Sequence, residues 1–186
     1  MDILEQLSAE QRDLLVRLPY RAGLWVSEAD KTGGDESDAQ ERRVLHGLLH
    51  GFAGDVFGSE FIQHIMAGTL AGEARWTEWA AELDGFPKEC ERAIDILRSV
   101  TDEKEVKVYI ARLMEIGEAV AMAYREHSED MALPQKVSMF LAYLKFLLAR
   151  RGGRVRVKSF DAFMQVSLDE RKALDRMADA LGTKYA

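Results

Sequence analysis

The sequence predicts an all-α fold, a single compact bundle of seven or eight helices. Three observations predict it. Apolar residues recur at three- and four-residue spacing along almost the whole chain, which stacks them on one face of a helix. Only three prolines stand among 186 residues, so long helices run uninterrupted. Four pairs with capping-box spacing, Ser8 with Gln11, Asp38 with Glu41, Asp102 with Glu105 and Ser167 with Glu170, mark helix starts.

The first helix carries Leu14, Leu15, Leu18, Ala22, Trp25, Val26 and Ala29 on one face. Pro19 lies inside this pattern. It removes a backbone donor and crowds the preceding turn, so a kink or a break is expected there. Val44, Leu45, Leu48, Leu49 and Phe52 make the apolar face of a second helix, and Gly54 to Gly58 a break after it. Phe61, Ile62, Ile65 and Met66 mark a third helix, and Trp76, Trp79, Ala80 and Leu83 a fourth. Gly85-Phe86-Pro87 separates that from a fifth with Ala93, Ile94 and Leu97 inward, proline suiting a helix start.

A long helix then carries Val106, Tyr109, Ile110, Leu113, Ile116, Val120 and Tyr124. Its stretch from Gly117 to Tyr124 is apolar nearly all round, so this helix is expected at the centre. Pro134 opens another, with Val137, Phe140, Leu141, Leu144, Leu147 and Leu148, ending at Arg150-Arg151-Gly152. Tyr109, Leu113, Val120, Leu141, Leu144 and Leu148 are the predicted core between these two. A last helix holds Leu174, Met177 and Leu181 and ends at Gly182. Val155-Arg156-Val157 is the one strand candidate, too short to build a sheet.

The whole chain, 1–186, reads as one domain. Leu15-Val16-Arg17-Leu18 is echoed by Ile110-Ala111-Arg112-Leu113, each opening a helix followed by an acidic break and a second apolar helix. Duplicated hairpins over 9–53 and 103–150, with a C-terminal helical extension over 159–182, account for the echo; chance similarity between amphipathic helices accounts for it as well.

The chain is 47% hydrophobic and 31% charged, which is a globular rather than a disordered composition. Its net charge of −7 argues against wholesale binding to nucleic acid or an anionic membrane. The single cysteine, Cys90, excludes an intrachain disulfide, and the start Met1-Asp2-Ile3-Leu4-Glu5 has no secretory pattern. The most apolar run, Val137 to Ala149, is too short to span a bilayer. A cytoplasmic protein with no membrane span is expected.

The most specific segment runs from Asp30 to Glu41. Its five carboxylates, Asp30, Asp35, Glu36, Asp38 and Glu41, stand with one lysine, so more than half of the net charge sits in twelve residues. Crowded carboxylates repel unless a cation compensates, and a hard cation with oxygen ligands does so. Asp30, Thr32, Asp38 and Glu41 fall at EF-hand positions one, three, nine and twelve. Asp35 stands where the loop needs glycine and Ser37 where it needs an apolar residue, so a standard EF-hand is excluded. The competing account is a Gly33-Gly34 turn followed by acidic residues that favour a helix N-terminus without any metal.

The run Leu18-Pro19-Tyr20-Arg21-Ala22-Gly23-Leu24-Trp25-Val26-Ser27-Glu28-Ala29-Asp30, the acidic break, Glu41 and the apolar helix after it resemble the tellurite-resistance TerB-like family. The likeness spans 14–52 and is weaker over 109–148. It implies a bacterial all-helical protein of two helical-hairpin halves with acidic metal-binding positions. On Ala29-Asp30, Gly33-Gly34, Asp38 and Glu41 it implies a site for Ca2+, Mg2+ or Mn2+ at Asp30, Asp38 and Glu41, with Asp35 as a weaker candidate. Two departures stand out: Lys31-Thr32 is inserted before the glycines, and the second break, Glu126 to Asp130, has no glycine. The resemblance implies a binding protein in a stress-response or tellurite-resistance-related assembly. The alternative is a metal-free helical adaptor for a protein partner, and either reading admits an oligomer.

Other constellations carry two readings each. His46 and His50, four apart on a helix, can chelate a transition metal, with His64 available to join them, or can be boundary residues. Trp76 and Trp79 are core residues or an aromatic groove for a partner. Lys88 and Arg92 flank Cys90 and would lower its pKa. Arg150, Arg151, Arg154, Arg156 and Lys158 form a basic cluster for an anionic partner, or a solvated linker after a helix end. No phosphate loop or nucleophile elbow is present, and no catalytic residue is expected.

Overall fold

The computed structural model describes residues 6–29, 35–54, 59–125 and 168–185, with backbone alone at 35–42, 122–125 and 168. Seven α-helices occupy them: α1 (Ala9–Ser27), α2 (Asp35–Ala53), α3 (Glu60–Ala71), the single turn α4 (Trp76–Trp79), α5 (Phe86–Val100), α6 (Glu103–Arg125) and α7 (Leu168–Ala180). Short 3-10 turns, Glu73–Arg75 and Leu83–Gly85, flank α4. No strand occurs among the described residues, so the all-α expectation holds. The expected helix around Val137 to Leu148, the strand candidate at Val155, and Leu141, Leu144 and Leu148 lie outside the described residues.

The organising pair is α1 against α6, with α5, α7 and the α2–α3 hairpin packed around it. Leu15, Leu18, Tyr109, Leu113 and Ile116 are wholly buried at the centre, and Val120 nearly so. The described half of the predicted core is therefore buried, against α1. At Gly117 an added Cβ would fall 2.7 Å from Met177 Cε and 3.2 Å from Val26 Cγ2, so glycine sets how closely α6 approaches α1 and α7. The Trp25 indole ties α1 to α7 by donating to the Ala173 carbonyl at 3.0 Å.

Three local expectations are corrected. First, α1 is continuous through Pro19. Proline leaves the carbonyl four residues back, that of Leu15, without its helical donor. The Tyr109 hydroxyl supplies one, at 2.9 Å. One residue on, the Val16 carbonyl lies 2.6 Å from the Thr69 hydroxyl. Tertiary donors thus carry the helix across the proline. Second, the fourth helix does not reach Leu83: the chain leaves helical geometry after Trp79, and Glu82 is left-handed at φ 52°. Third, α2 begins at Asp35, so Asp38 stands inside the helix rather than at its cap.

The Ser8–Gln11 capping box forms in both directions. At Asp102 half of one forms: its carboxylate accepts from the Glu105 amide at 2.9 Å, while the Glu105 side chain accepts from the Ser59 hydroxyl. Ser59 also caps α3, so one serine joins the starts of α3 and α6. Ser167 lies outside the described residues, and Glu170 is buried in α7.

Candidate functional site

The second half of α1, the middle of α2, the segment 73–80 and Val120 of α6 enclose a cleft of about 640 Å³. Its wall is aromatic. Tyr20 on α1 stacks on Trp76, with ring centroids 4.6 Å apart and planes 17° apart. The Trp76 indole donates to the Thr69 carbonyl at 3.1 Å, which fixes the ring from the α3 side. Trp76 and Trp79 are both buried, so the core reading of the tryptophans is correct, although Trp76 also borders the cleft.

Segment 73–80 is held by contacts that local sequence does not suggest. Arg21, only 3% exposed, projects from α1 and donates to the carbonyls of Trp79, Ala81 (2.9 Å) and Glu82 (3.0 Å). Its Nε lies 2.9 Å from Glu89 Oε2, and Arg17 reaches the other oxygen of that carboxylate at 2.9 Å. The Trp79 and Ala81 carbonyls are left over where α4 stops after one turn, the Glu82 carbonyl also accepts from the Gly85 amide at 3.1 Å, and one buried guanidinium with five donors reaches all three. Burial lowers the Arg21 pKa, with Glu89 opposing. The apolar stripe held a signal for Arg21: it stands three after Leu18 and four before Trp25, on the inward face.

Gly72 precedes this segment. A Cβ there would fall 2.2 Å from Trp79 Cη2, inside a buried ring, so only glycine lets the chain pass the indole and present Glu73. Arg75 then pairs with Glu78 at 2.9 Å and with Asp13 on α1, and lies 5.3 Å over the Trp79 ring.

The polar groups of the cleft come from three elements. Glu28 closes the end of α1, Arg43 and His46 face in from α2, and Glu73 stands across from them. The His46 ring packs edge-on against Trp76 at 5.8 Å, its Nε2 lies 3.5 Å from Glu73 Oε2, and the His50 ring is 5.1 Å away. His64 stands exposed on α3, so Glu73, for which the sequence holds no signal, is the residue beside His46. Two carboxylates, an arginine and an imidazole around an aromatic wall suit a polar ligand or a partner's side chains.

Of the residues singled out at the acidic segment, Asp35 is the first residue of α2, and Asp38 and Glu41 follow within it, three residues apart. Asp30, Gly33 and Gly34 lie outside the described residues, as do Arg150, Arg151, Arg154, Arg156 and Lys158. Cys90 is wholly buried, and desolvation together with Glu89 pushes its thiol up; the expected lowering by Lys88 and Arg92 is overturned. Among the described residues no helix is long and apolar enough to cross a membrane.

No family model, curated protein or solved structure matches the chain.

Proposed function

We propose that this chain is a bacterial TerB-like helical binding protein that holds a divalent cation, Ca2+, Mg2+ or Mn2+, at the connection between α1 and α2. It would act within a stress-response or tellurite-resistance-related assembly, joined to a protein partner. The observation that supports the reading is the short span between the two helices: α1 is capped at Glu28 and α2 begins at Asp35. Asp35, Asp38 and Glu41 fall in the first two turns of α2, and Asp30 comes two residues after Glu28 in the sequence. An all-oxygen donor set of this kind suits hard cations. The arginines Arg150, Arg151, Arg154 and Arg156 are the anionic-partner surface in this reading.

Calorimetric and thermal titration of wild type and of Asp30→Asn/Glu41→Gln tests it. A cation that binds only the native state at 100 times its Kd stabilises by about 2.7 kcal/mol. Wild type is expected to melt higher in millimolar cation than in chelator, and the double variant to lose that increment.

The second reading, a metal-free adaptor, draws on the aromatic wall and mixed charges of the cleft. It prevails if wild type ignores all three cations and the double variant is more stable than wild type in chelator.

A further inference from the structure

We propose that the pocket between the last turn of α5, the N-terminal part of α6 and the turn after α7 binds a small amphipathic carboxylate, a free acid of fatty-acid type. It shares no residue with the cleft or with the acidic segment, and it is independent of the function proposed above.

The sequence of α6 builds most of this pocket. Glu103, Lys107, Ile110, Met114 and Glu118 recur at steps of three and four, which sets them on one face of the helix. All five border the pocket, whose volume is about 440 Å³, within the ~300–1,000 Å³ usual for small-molecule sites. Arg98 joins them from α5, with only Thr101 and Asp102 between the two helices. The remaining side comes from the end of α7. There the Gly182 amide donates to the Asp179 carbonyl at 3.0 Å and the Thr183 amide to that of Ala178 at 2.9 Å, with Gly182 left-handed at φ 68°. This cap turns the chain, and Lys184 and Tyr185 border the pocket.

The polarity of the pocket runs along α6. Arg98 and Lys107 stand at its first turns with the Glu103 carboxylate, and Glu118 lies three turns beyond Lys107. Between them the lining is apolar: Met114 is buried, and Ile110 packs half-buried on the core, as does Tyr185. Among the described residues Arg98, Lys107 and Lys184 are exposed cations without an ion-pair partner. Arg17, Arg21, Arg75, Arg92 and Arg112, by contrast, each hold a carboxylate. Three such cations on one pocket of a chain with net charge −7 make a local positive field that favours an anion. Lys107 and Met114 are about 10 Å apart along the axis, which an extended medium-length alkyl chain spans. At the far end burial and Glu115, itself paired with Arg112 at 3.0 Å, push the Glu118 carboxyl up to about 7. In its acid form it leaves the place of the tail uncharged. A carboxylate head at the cations with an apolar tail toward Glu118 matches this order.

Calorimetric titration of the full chain with decanoate tests the site. Wild type should bind one equivalent, and acetate and decanol, which lack the tail or the charge, should each bind at least tenfold more weakly. Lys107→Ala/Lys184→Ala should weaken decanoate at least tenfold. Circular dichroism checks that the variant folds; if it does not, Arg98→Ala carries the same test. If only the acid form of Glu118 admits the tail, affinity should fall about tenfold between pH 6 and pH 8. Glu118→Gln should remove that fall and bind at pH 8 as wild type does at pH 6. The inference is overturned if wild type takes up no decanoate, if decanol or acetate binds as tightly, if loss of the cations leaves affinity unchanged, or if Glu118→Gln keeps the fall with pH.

Discussion

The Tyr109 hydroxyl donates to the Leu15 carbonyl at 2.9 Å, filling the vacancy that Pro19 leaves in α1. A side chain of the central helix α6 thereby repairs the backbone of its main partner. Tyr109 is wholly buried, and burial pushes its pKa well above the ordinary tyrosine value.

Tyr109→Phe keeps the ring and removes the donor. The stranded carbonyl should cost about 1–3 kcal/mol in chemical denaturation. Pro19→Ala restores a backbone N–H to the same carbonyl. In a double-mutant cycle the cost of Tyr109→Phe should shrink when Pro19 is replaced. Additive effects would show that the two residues are uncoupled.

The all-helical class and six of the seven described α-helices follow from spacing and caps, because amphipathic periodicity is a local signal. Passage through Pro19 does not, since its repair comes from Tyr109 and Thr69, far along the chain. The early stop of α4 has the same character: it depends on Arg21, 58 residues away from Trp79. At the candidate cleft, His46 was legible from its spacing to His50. Glu73 was not, because its position follows from Gly72 meeting Trp79, a contact made only in the folded chain.

Arg21→Met should be among the most damaging single changes. It strips the Trp79 and Ala81 carbonyls of their donor, takes one of two from the Glu82 carbonyl, and leaves the Glu89 carboxylate, itself only partly exposed, with Arg17 alone. Breaking a buried ionic network from one side costs about 3–5 kcal/mol. Arg21→Lys keeps the charge but not the fork of donors, and should recover only part of that loss.

Gly72→Ala should cost about 1–3 kcal/mol, since the Trp79 ring must shift to admit a methyl group. Intrinsic tryptophan fluorescence should change with it. An unchanged spectrum and unchanged stability would mean that Glu73 is not placed by this contact.

Glu118 on α6 should make stability depend on pH. Burial, reinforced by Glu115, pushes its carboxyl up from the ordinary 4.5 to about 7. The folded chain therefore favours the protonated acid. Its relative stabilisation is full below pH 4.5, where both states are protonated, and is lost as pH rises through about 7. At 1.36 kcal/mol per unit the whole change is at most about 3 kcal/mol. Glu118→Gln should flatten the stability profile between pH 4.5 and 7 and melt higher than wild type above pH 7.

Cys90, the sole cysteine, gives this chain a built-in clock for its own opening. The thiol is sealed inside α5 and resists ionisation there, so a thiol reagent can reach it only when the helix lifts away from its neighbours. The rate of modification in native buffer measures how often that happens, one event per molecule, without any engineered label. Repeated with calcium present, the same measurement would tell whether an ion bound between α1 and α2 quietens α5, which packs on α1.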